Sequence, residues 1–138
     1  MKWKTETIQL ETHKQFELFD LTSEIEGEVY ASEIKHGLCI ITVPHATAAL
    51  IANENEAGLK EDMMTRIQAL APEENNYKHD QLDNNARAHI IAGILGPDLT
   101  FVIEEGRLVR GAWQNIFFVE LDGPRSTRKV VVKIFGEK

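Results

Sequence analysis

The sequence has little that would place it among secreted, membrane-spanning or nucleic-acid-binding proteins. Its 138 residues include one cysteine, Cys39, so no internal disulfide can form and a reducing, cytoplasmic location is expected. No apolar run approaches the ~20 residues of a membrane helix, and the first residues lack the apolar core of a signal peptide. Basic side chains are few as well. Fifteen Lys and Arg face 22 Asp and Glu, a net charge of −7, which argues against a nucleic-acid partner.

What the sequence does contain is typical of a soluble globular domain. Hydrophobic residues make up 43% of the chain and charged residues 27%, enough of each for a packed core and a solvated surface. The length suits one core, so we expect a single domain over residues 1–138. Positive charge is in excess only at the C-terminus, where residues 101–138 carry 7 basic and 5 acidic side chains.

Hydrophobic periodicity predicts strands on both sides of a helical middle. Strands are expected at residues 3–11, 15–19, 37–43, 100–104, 108–110, 113–121 and 129–135, and helices from Thr22 to Gly37, over 57–71 and over 85–95. The strand at 37–43 is apolar on both faces, which predicts a central position covered on both sides. The expected fold class is α+β: a mixed or antiparallel β-sandwich with helices packed on one side.

A first cluster of candidate site residues follows the most buried predicted strand, where ligand sites often gather. It contains His45 and Thr47 within a run of small residues, and then Asn53 and Glu54. The small residues would let a ligand or a second chain approach the backbone closely. The alternative is a structural turn in which His45 caps a carbonyl.

A second cluster flanks the start of the third predicted helix. Asn85 and His89 share a helix face at i, i+4, and His79 lies in a preceding loop that is long enough to fold back beside them. Imidazoles with neighbouring carboxylates could bind a divalent metal or act as an acid–base pair. The alternative is a solvated loop, since the spacing matches no compact ligand motif.

A third cluster lies in the basic C-terminal segment. Arg125 and Arg128 stand beside a Gly-Pro turn, and their forked guanidinium donors suit a phosphate group; a solvated strand entrance is the alternative. Trp113 is expected to begin a strand and to pack into the core. Gln114 would face the other way and could present its amide to a ligand.

In their order along the chain, these motifs resemble the YjbQ-like family. The shared pattern is His-Ala-Thr-Ala-Ala-Leu at 45–50, Asn-Glu-Asn at 53–55, Asp62, Tyr-Lys-His-Asp at 77–80, His89 and Gly-Ala-Trp-Gln at 111–114. The family usually has threonine where this chain has Ala112, a small change that leaves the following Trp-Gln pair in place. The resemblance covers essentially the whole chain. It implies an α+β fold built on a β-sandwich and a homotrimer with pockets near the subunit contacts.

The resemblance also implies a weak thiamine-phosphate synthase activity, in which a pyrimidine-methyl pyrophosphate is joined to a thiazole phosphate and pyrophosphate is released. The expected catalytic residues are His45, His79, His89 and Glu54, and the expected substrate-binding residues are Thr47, Asn53, Gln114, Arg125 and Arg128. The same three histidines are expected to bind a divalent metal, zinc or magnesium. Two alternatives stay open: a metal-dependent hydrolase of a small phosphorylated substrate, and a non-catalytic trimeric ligand-binding protein.

Overall fold

The computed structural model describes every residue from Met1 to Lys138. The strands are β1 (Lys2–Leu10), β2 (Glu17–Asp20), β3 (His36–Thr42), β4 (Ala48–Asn53), β5 (Asp98–Glu104), β6 (Arg107–Leu108), β7 (Asn115–Glu120) and β8 (Arg128–Glu137). The helices are α1 (Thr22–Ser32), α2 (Ala57–Ala69) and α3 (Ala86–Leu95), with a 3₁₀ turn at Lys78–Gln81. None of these helices is both long and apolar enough to cross a membrane.

Two antiparallel sheets form the framework. The larger has the strand order β1-β8-β3-β5-β6, and the smaller has the order β2-β7-β4. In the smaller sheet Ala48 lies opposite Glu120 and Asn53 lies opposite Asn115, so each end of that sheet collects a different set of side chains. The predicted α+β class with antiparallel sheets and three helices is confirmed.

Two hydrophobic cores hold these layers together. The larger lies between the sheets and includes the apolar face of α1, whose Ile25 is fully buried. The smaller lies where α2 and α3 cover the outer face of the three-stranded sheet. Alanines at 49, 88 and 92 are buried in this second core. Their small side chains let α3 lie close against β4, and that contact brings the start of β4 beside the helix.

Side chains outside the helices determine where two of them begin. The Asp20 carboxylate accepts hydrogen bonds from the backbone N–H and the hydroxyl of Thr22 at the start of α1. Glu56 accepts from two free backbone N–H groups in the first turn of α2. The observed helix α1 is shorter than the predicted helix from Thr22 to Gly37. Glu33 adopts a left-handed conformation with φ of 61°, and this ends α1 at Ser32.

The structure differs from two expectations drawn from the sequence. Residues 48–53 form strand β4, although no strand was expected there; three consecutive buried apolar residues at 48–50 lack the alternation that signals a strand. The strand β3 is also covered on one face only. Its outward Leu38 lies in a row with Trp3, Phe135 and Val102 on neighbouring strands, and Trp3 is 68% exposed.

Candidate functional site

His45 lies in the turn that joins β3 to β4. Its Nε2 accepts a hydrogen bond of 2.8 Å from the backbone N–H of Lys129, near the start of β8, so the ring does not cap a carbonyl. Burial of the ring and the positive charge of Arg128 lower the pKa of His45 below its ordinary value. The imidazole is therefore neutral at physiological pH. Its Nδ1 is the nitrogen left free for a ligand.

A buried ion pair lies close to His45. The Arg128 and Glu120 side chains are 5% and 0% exposed, and Arg128 Nε donates to Glu120 Oε1 at 2.9 Å. Glu120 also accepts from the Thr12 hydroxyl and from the backbone N–H groups of Leu121 and Asp122. Burial alone would raise the pKa of Glu120, but these hydrogen bonds and the Arg128 charge outweigh it and lower that pKa. The pair is ionised, and its two opposite charges shift the pKa of His45 in opposite directions.

The two arginines do not form the phosphate fork that the sequence suggested. Arg128 Nη2 donates to the carbonyl and the hydroxyl of Thr47 as well as to Glu120. Thr47 and Arg128 are both buried, and these bonds hold the residue before β4 against the start of β8. Arg125 is more exposed, and its Nη2 donates to Asp122 Oδ2 at 2.8 Å. Only Arg125 of the two lies at the surface.

His79 and His89 meet as the second cluster predicted. Their ring centroids are 4.8 Å apart in an edge-to-face arrangement. His79 Nε2 lies 3.0 Å from Asn85 Oδ1, and Asn85 Nδ2 donates to Asp122 Oδ2 at 2.9 Å. A continuous string of contacts therefore runs from Asp122 through Asn85 to His79 and His89. Sequence reasoning did not connect Asp122, which stands in the turn beside Arg125, with this cluster, because it lies 37 residues from Asn85 in the chain.

His89 lines two surface cavities. A cavity of about 320 Å³ is lined by His45, Ala46, Ala48, His89, Ala92, Gly93 and Pro97. A cavity of about 540 Å³ is lined by Asn76, Tyr77, Lys78, His79, Ala86, His89 and Ile90. Two smaller cavities beside Tyr30 contain no histidine and lie among residues that the sequence did not single out. The histidine-lined pair is the candidate site, because three imidazoles, the side chains best suited to proton transfer near neutral pH, line these two cavities.

The contacts do not assemble the predicted three-histidine metal centre within one chain. No group of three His, Cys, Asp or Glu side chains is arranged to hold a single ion. His45 Nε2 is engaged by Lys129, and His79 Nε2 is engaged by Asn85. A zinc or magnesium ion therefore stays a prediction, and elemental analysis of the purified protein tests it.

The remaining predicted residues lie at the opposite end of β4. Asn53 is five residues from Ala48 along an extended strand, about 17 Å away, and Glu54 follows it. Glu54 therefore lies too far from His45 to act beside it within one chain, so the expected catalytic set of His45 and Glu54 is not brought together. Gln114 lies at this far end too, where its Oε1 accepts from the Gly111 backbone N–H at 2.7 Å.

Two further features mark this far end. Trp113 is 74% exposed on the loop before β7, so the expectation that its indole packs into the core is wrong. Asp20 binds the amides of Asn55 and Asn115 in addition to Thr22. Burial opposes ionisation of Asp20, but hydrogen bonds from Thr22 and the two amides outweigh it and lower its pKa from 3.8 to about 2. Asp20 escaped sequence reasoning, because its donors come from three separate segments.

Fold and site together define a class of protein: an α+β domain of two antiparallel sheets with an imidazole-lined surface site at one end of the smaller sheet. The chain belongs to the YjbQ family, since the family model described as "UPF0047 protein YjbQ-like" matches residues 6–137. A UPF0047 protein of Archaeoglobus fulgidus is 44% identical over 91% of this chain and 97% of its own length. The UPF0047 protein YugU of Bacillus subtilis is 36% identical over 94% of this chain and 98% of its own.

Solved structures agree with this assignment. SSO2532 of Sulfolobus solfataricus P2, described as a YbjQ-like protein of unknown function, has a TM-score of 0.97 and 49% identity over 99% of both chains. The hypothetical protein APE1520 of Aeropyrum pernix K1 has a TM-score of 0.92 and 36% identity, covering 97% of this chain and 99% of its own. These comparisons establish the family and the fold.

Proposed function

We propose that this protein is an enzyme acting on a phosphorylated small molecule at the histidine-lined cavities, with thiamine-phosphate synthase as the reaction. The observation that carries the proposal is the convergence of three imidazoles. His45 and His89 line one cavity, and His79 and His89 line its neighbour. Cavities on both sides of one imidazole suit a reaction that joins two substrates, since each could occupy one side.

The charges around His45 favour an anionic ligand. The positive charges of Arg128 and Arg125 both act on the His45 ring, and Glu120 offsets them in part. Arg128 is buried, and Lys129 follows it at the protein surface. A phosphate or pyrophosphate group beside His45 would meet a neutral ring nitrogen, with the exposed Arg125 and Lys129 as the nearby basic side chains at the surface.

The proposed reaction needs stabilisation of a leaving group more than proton transfer. The bond between the pyrimidine methylene carbon and the pyrophosphate oxygen breaks, and its electron pair leaves with pyrophosphate. The thiazole nitrogen lone pair then forms the new C–N bond to that carbon. No electrons are gained or lost overall, and no proton has to move. Fixed hydrogen-bond donors near the departing oxygen would lower the barrier by stabilising its developing charge.

A homotrimer is part of the proposal, as the family resemblance implies. The outward row of Trp3, Phe135, Leu38 and Val102 supports it, because a partly exposed apolar row across four strands is typical of a contact surface. The exposed Trp113 also supports it. In such an assembly residues from the far end of one chain, such as Gln114, could approach the histidines of a neighbour.

A direct assay tests the proposed activity. The purified protein is incubated with the pyrimidine-methyl pyrophosphate, the thiazole phosphate and magnesium, and thiamine phosphate is measured by chromatography. His45→Ala is expected to lower product formation about 100-fold, the size of effect seen when one transition-state hydrogen-bond donor is lost. His36→Ala is the matched control, because His36 bonds Glu104 at the surface at the other end of β3. Its rate should stay close to that of the parent.

The same assay separates the alternatives. Release of pyrophosphate without joined product would support a hydrolase instead. Absence of turnover, together with measurable binding of the thiazole phosphate, would support a ligand-binding protein. Equal rates for the parent and His45→Ala would contradict the proposed site.

A further inference from the structure

The hydrogen bonds of the candidate site determine which nitrogen of His45 carries a proton. A backbone N–H can only donate, so the Lys129 N–H at 2.8 Å requires an unprotonated His45 Nε2. A neutral imidazole carries one proton, which must then be on Nδ1. The free nitrogen of His45 is therefore a donor, and the ring has no lone pair left for a metal ion.

His79 has the opposite arrangement, and Asn85 and Asp122 impose it. The Asp122 carboxylate can only accept, so the Asn85 group that faces it at 2.9 Å is the amide NH₂. Asn85 Oδ1 must then face His79, and it accepts from His79 Nε2 at 3.0 Å. In the neutral ring this leaves an unprotonated Nδ1. Arg125 donates to the same Asp122 oxygen at 2.8 Å and so supports this orientation.

We infer that Asn85 and Asp122 are positioning residues that hold His79 as a hydrogen-bond acceptor, while the Lys129 backbone holds His45 as a donor. The tautomers follow from the hydrogen bonds alone; only the choice of a phosphorylated ligand rests on the proposed function. The site then takes a molecule with phosphate or pyrophosphate oxygens near His45 and with an N–H or O–H donor near His79. His89 makes no hydrogen bond that would select a tautomer, so it can serve either partner.

The tautomers can be measured without any substrate. Protein labelled with ¹⁵N-histidine is placed at pH 8, above the ordinary histidine pKa of ~6.5, and long-range ¹H–¹⁵N spectra show which ring nitrogen of each histidine is protonated. We expect His45 to be protonated only on Nδ1 and His79 only on Nε2. The exposed His13 is the reference for a mixture of tautomers. Its ring makes no hydrogen bond, since the nearest carboxylate oxygen, on Glu11, lies 4.0 Å from Nδ1. A mixture at His45 in the parent protein would overturn the inference.

Variants at two positions test the role of Asn85. Asn85→Ala is expected to convert His79 to the mixture shown by His13. Asp83→Asn is expected to retain the single tautomer, because Asp83 Oδ2 lies 3.8 Å from His79 Nε2, beyond hydrogen-bond distance, whereas Asn85 Oδ1 accepts from that nitrogen at 3.0 Å. Asn85 precedes α3 but makes no capping hydrogen bond, so alanine removes no helix cap. Asn76→Ala is the matched control, because Asn76 lines the same cavity without contacting His79. A single unchanged tautomer in Asn85→Ala would contradict the positioning role.

Inorganic pyrophosphate tests the assigned ligand side. Its addition should shift the His45 Nδ1–H resonance and leave the His79 tautomer unchanged; a shift at His79 alone would overturn the assignment. The outcomes also separate this inference from the proposed function. Fixed tautomers without synthase turnover would support the inference and contradict the function. Turnover with free tautomers at both histidines would do the reverse.

Discussion

Replacing Glu120 with glutamine should destabilise the protein more than any other isosteric change at a single residue of this end of the sheet. Glu120 is fully buried, and all five groups around its two oxygens are donors in the structure. Glutamine keeps the shape of the side chain, so no cavity forms. It removes the negative charge opposite Arg128 and turns one acceptor oxygen into a donor.

The magnitude follows from these contacts. Removing one partner of a buried ion pair costs about 3–5 kcal/mol, because the other charge stays buried without compensation. The glutamine NH₂ must also face at least one backbone or guanidinium N–H, whichever way the amide is turned. We therefore expect Glu120→Gln to lower the free energy of unfolding by about 3–5 kcal/mol at pH 7.

Urea unfolding at fixed protein concentration measures this loss. The double variant Glu120→Gln with Arg128→Met should be more stable than Glu120→Gln alone, since it removes the uncompensated charge as well. The lowered pKa of Glu120 adds a dependence on pH. Because its folded-state pKa is below the ordinary value, its contribution is present above that value and is lost as the pH falls through the folded pKa. A loss below about 1 kcal/mol in Glu120→Gln, or a double variant less stable than the single one, would refute the reasoning.

Three further outcomes are expected. Asp20→Asn should lower the free energy of unfolding by about 1 kcal/mol at pH 7, after allowance for solvent screening. In acid unfolding the difference between parent and variant should disappear as the pH falls from 3.8 through about 2, and a difference that persists below pH 2 would count against the Asp20 contacts. Cys39 is fully buried, and burial raises the pKa of its thiol to about 12. A thiol reagent should therefore modify it only after denaturation, and rapid labelling of the native protein would contradict its buried position. Light scattering should give three times the mass of one chain, whereas a monomer at micromolar concentrations would exclude the proposed trimer.

The predicted secondary structure was accurate where the hydrophobic pattern is strong and local. The strand at 37–43 and the helices at 57–71 and 85–95 differ from the observed elements by at most two residues at either end. These elements bury apolar side chains at regular spacing, and that spacing is visible in the sequence itself. Strand β4 was missed, because its packing against α3 relies on small buried alanines rather than on alternation.

The sequence by itself determined the family and the α+β class, since both follow from residue order and local periodicity. It also suggested that His79 could approach His89 but left a solvated loop as the alternative, and the structure brings the two rings together. Tertiary structure alone decided what the other site residues contact. His45 meets Lys129 across 84 residues, and Arg128 meets Thr47 across 81. Whether an arginine reaches solvent or a buried carboxylate depends on such distant partners, because its pairing follows from how the strands pack and not from its neighbours in the chain. Glu54 and His45 are only nine positions apart, yet the extended strand β4 places them at its two ends. Asp122 and His79 are far apart in the chain, and Asn85 joins them because the packing of α3 and the segment after β7 brings all three together.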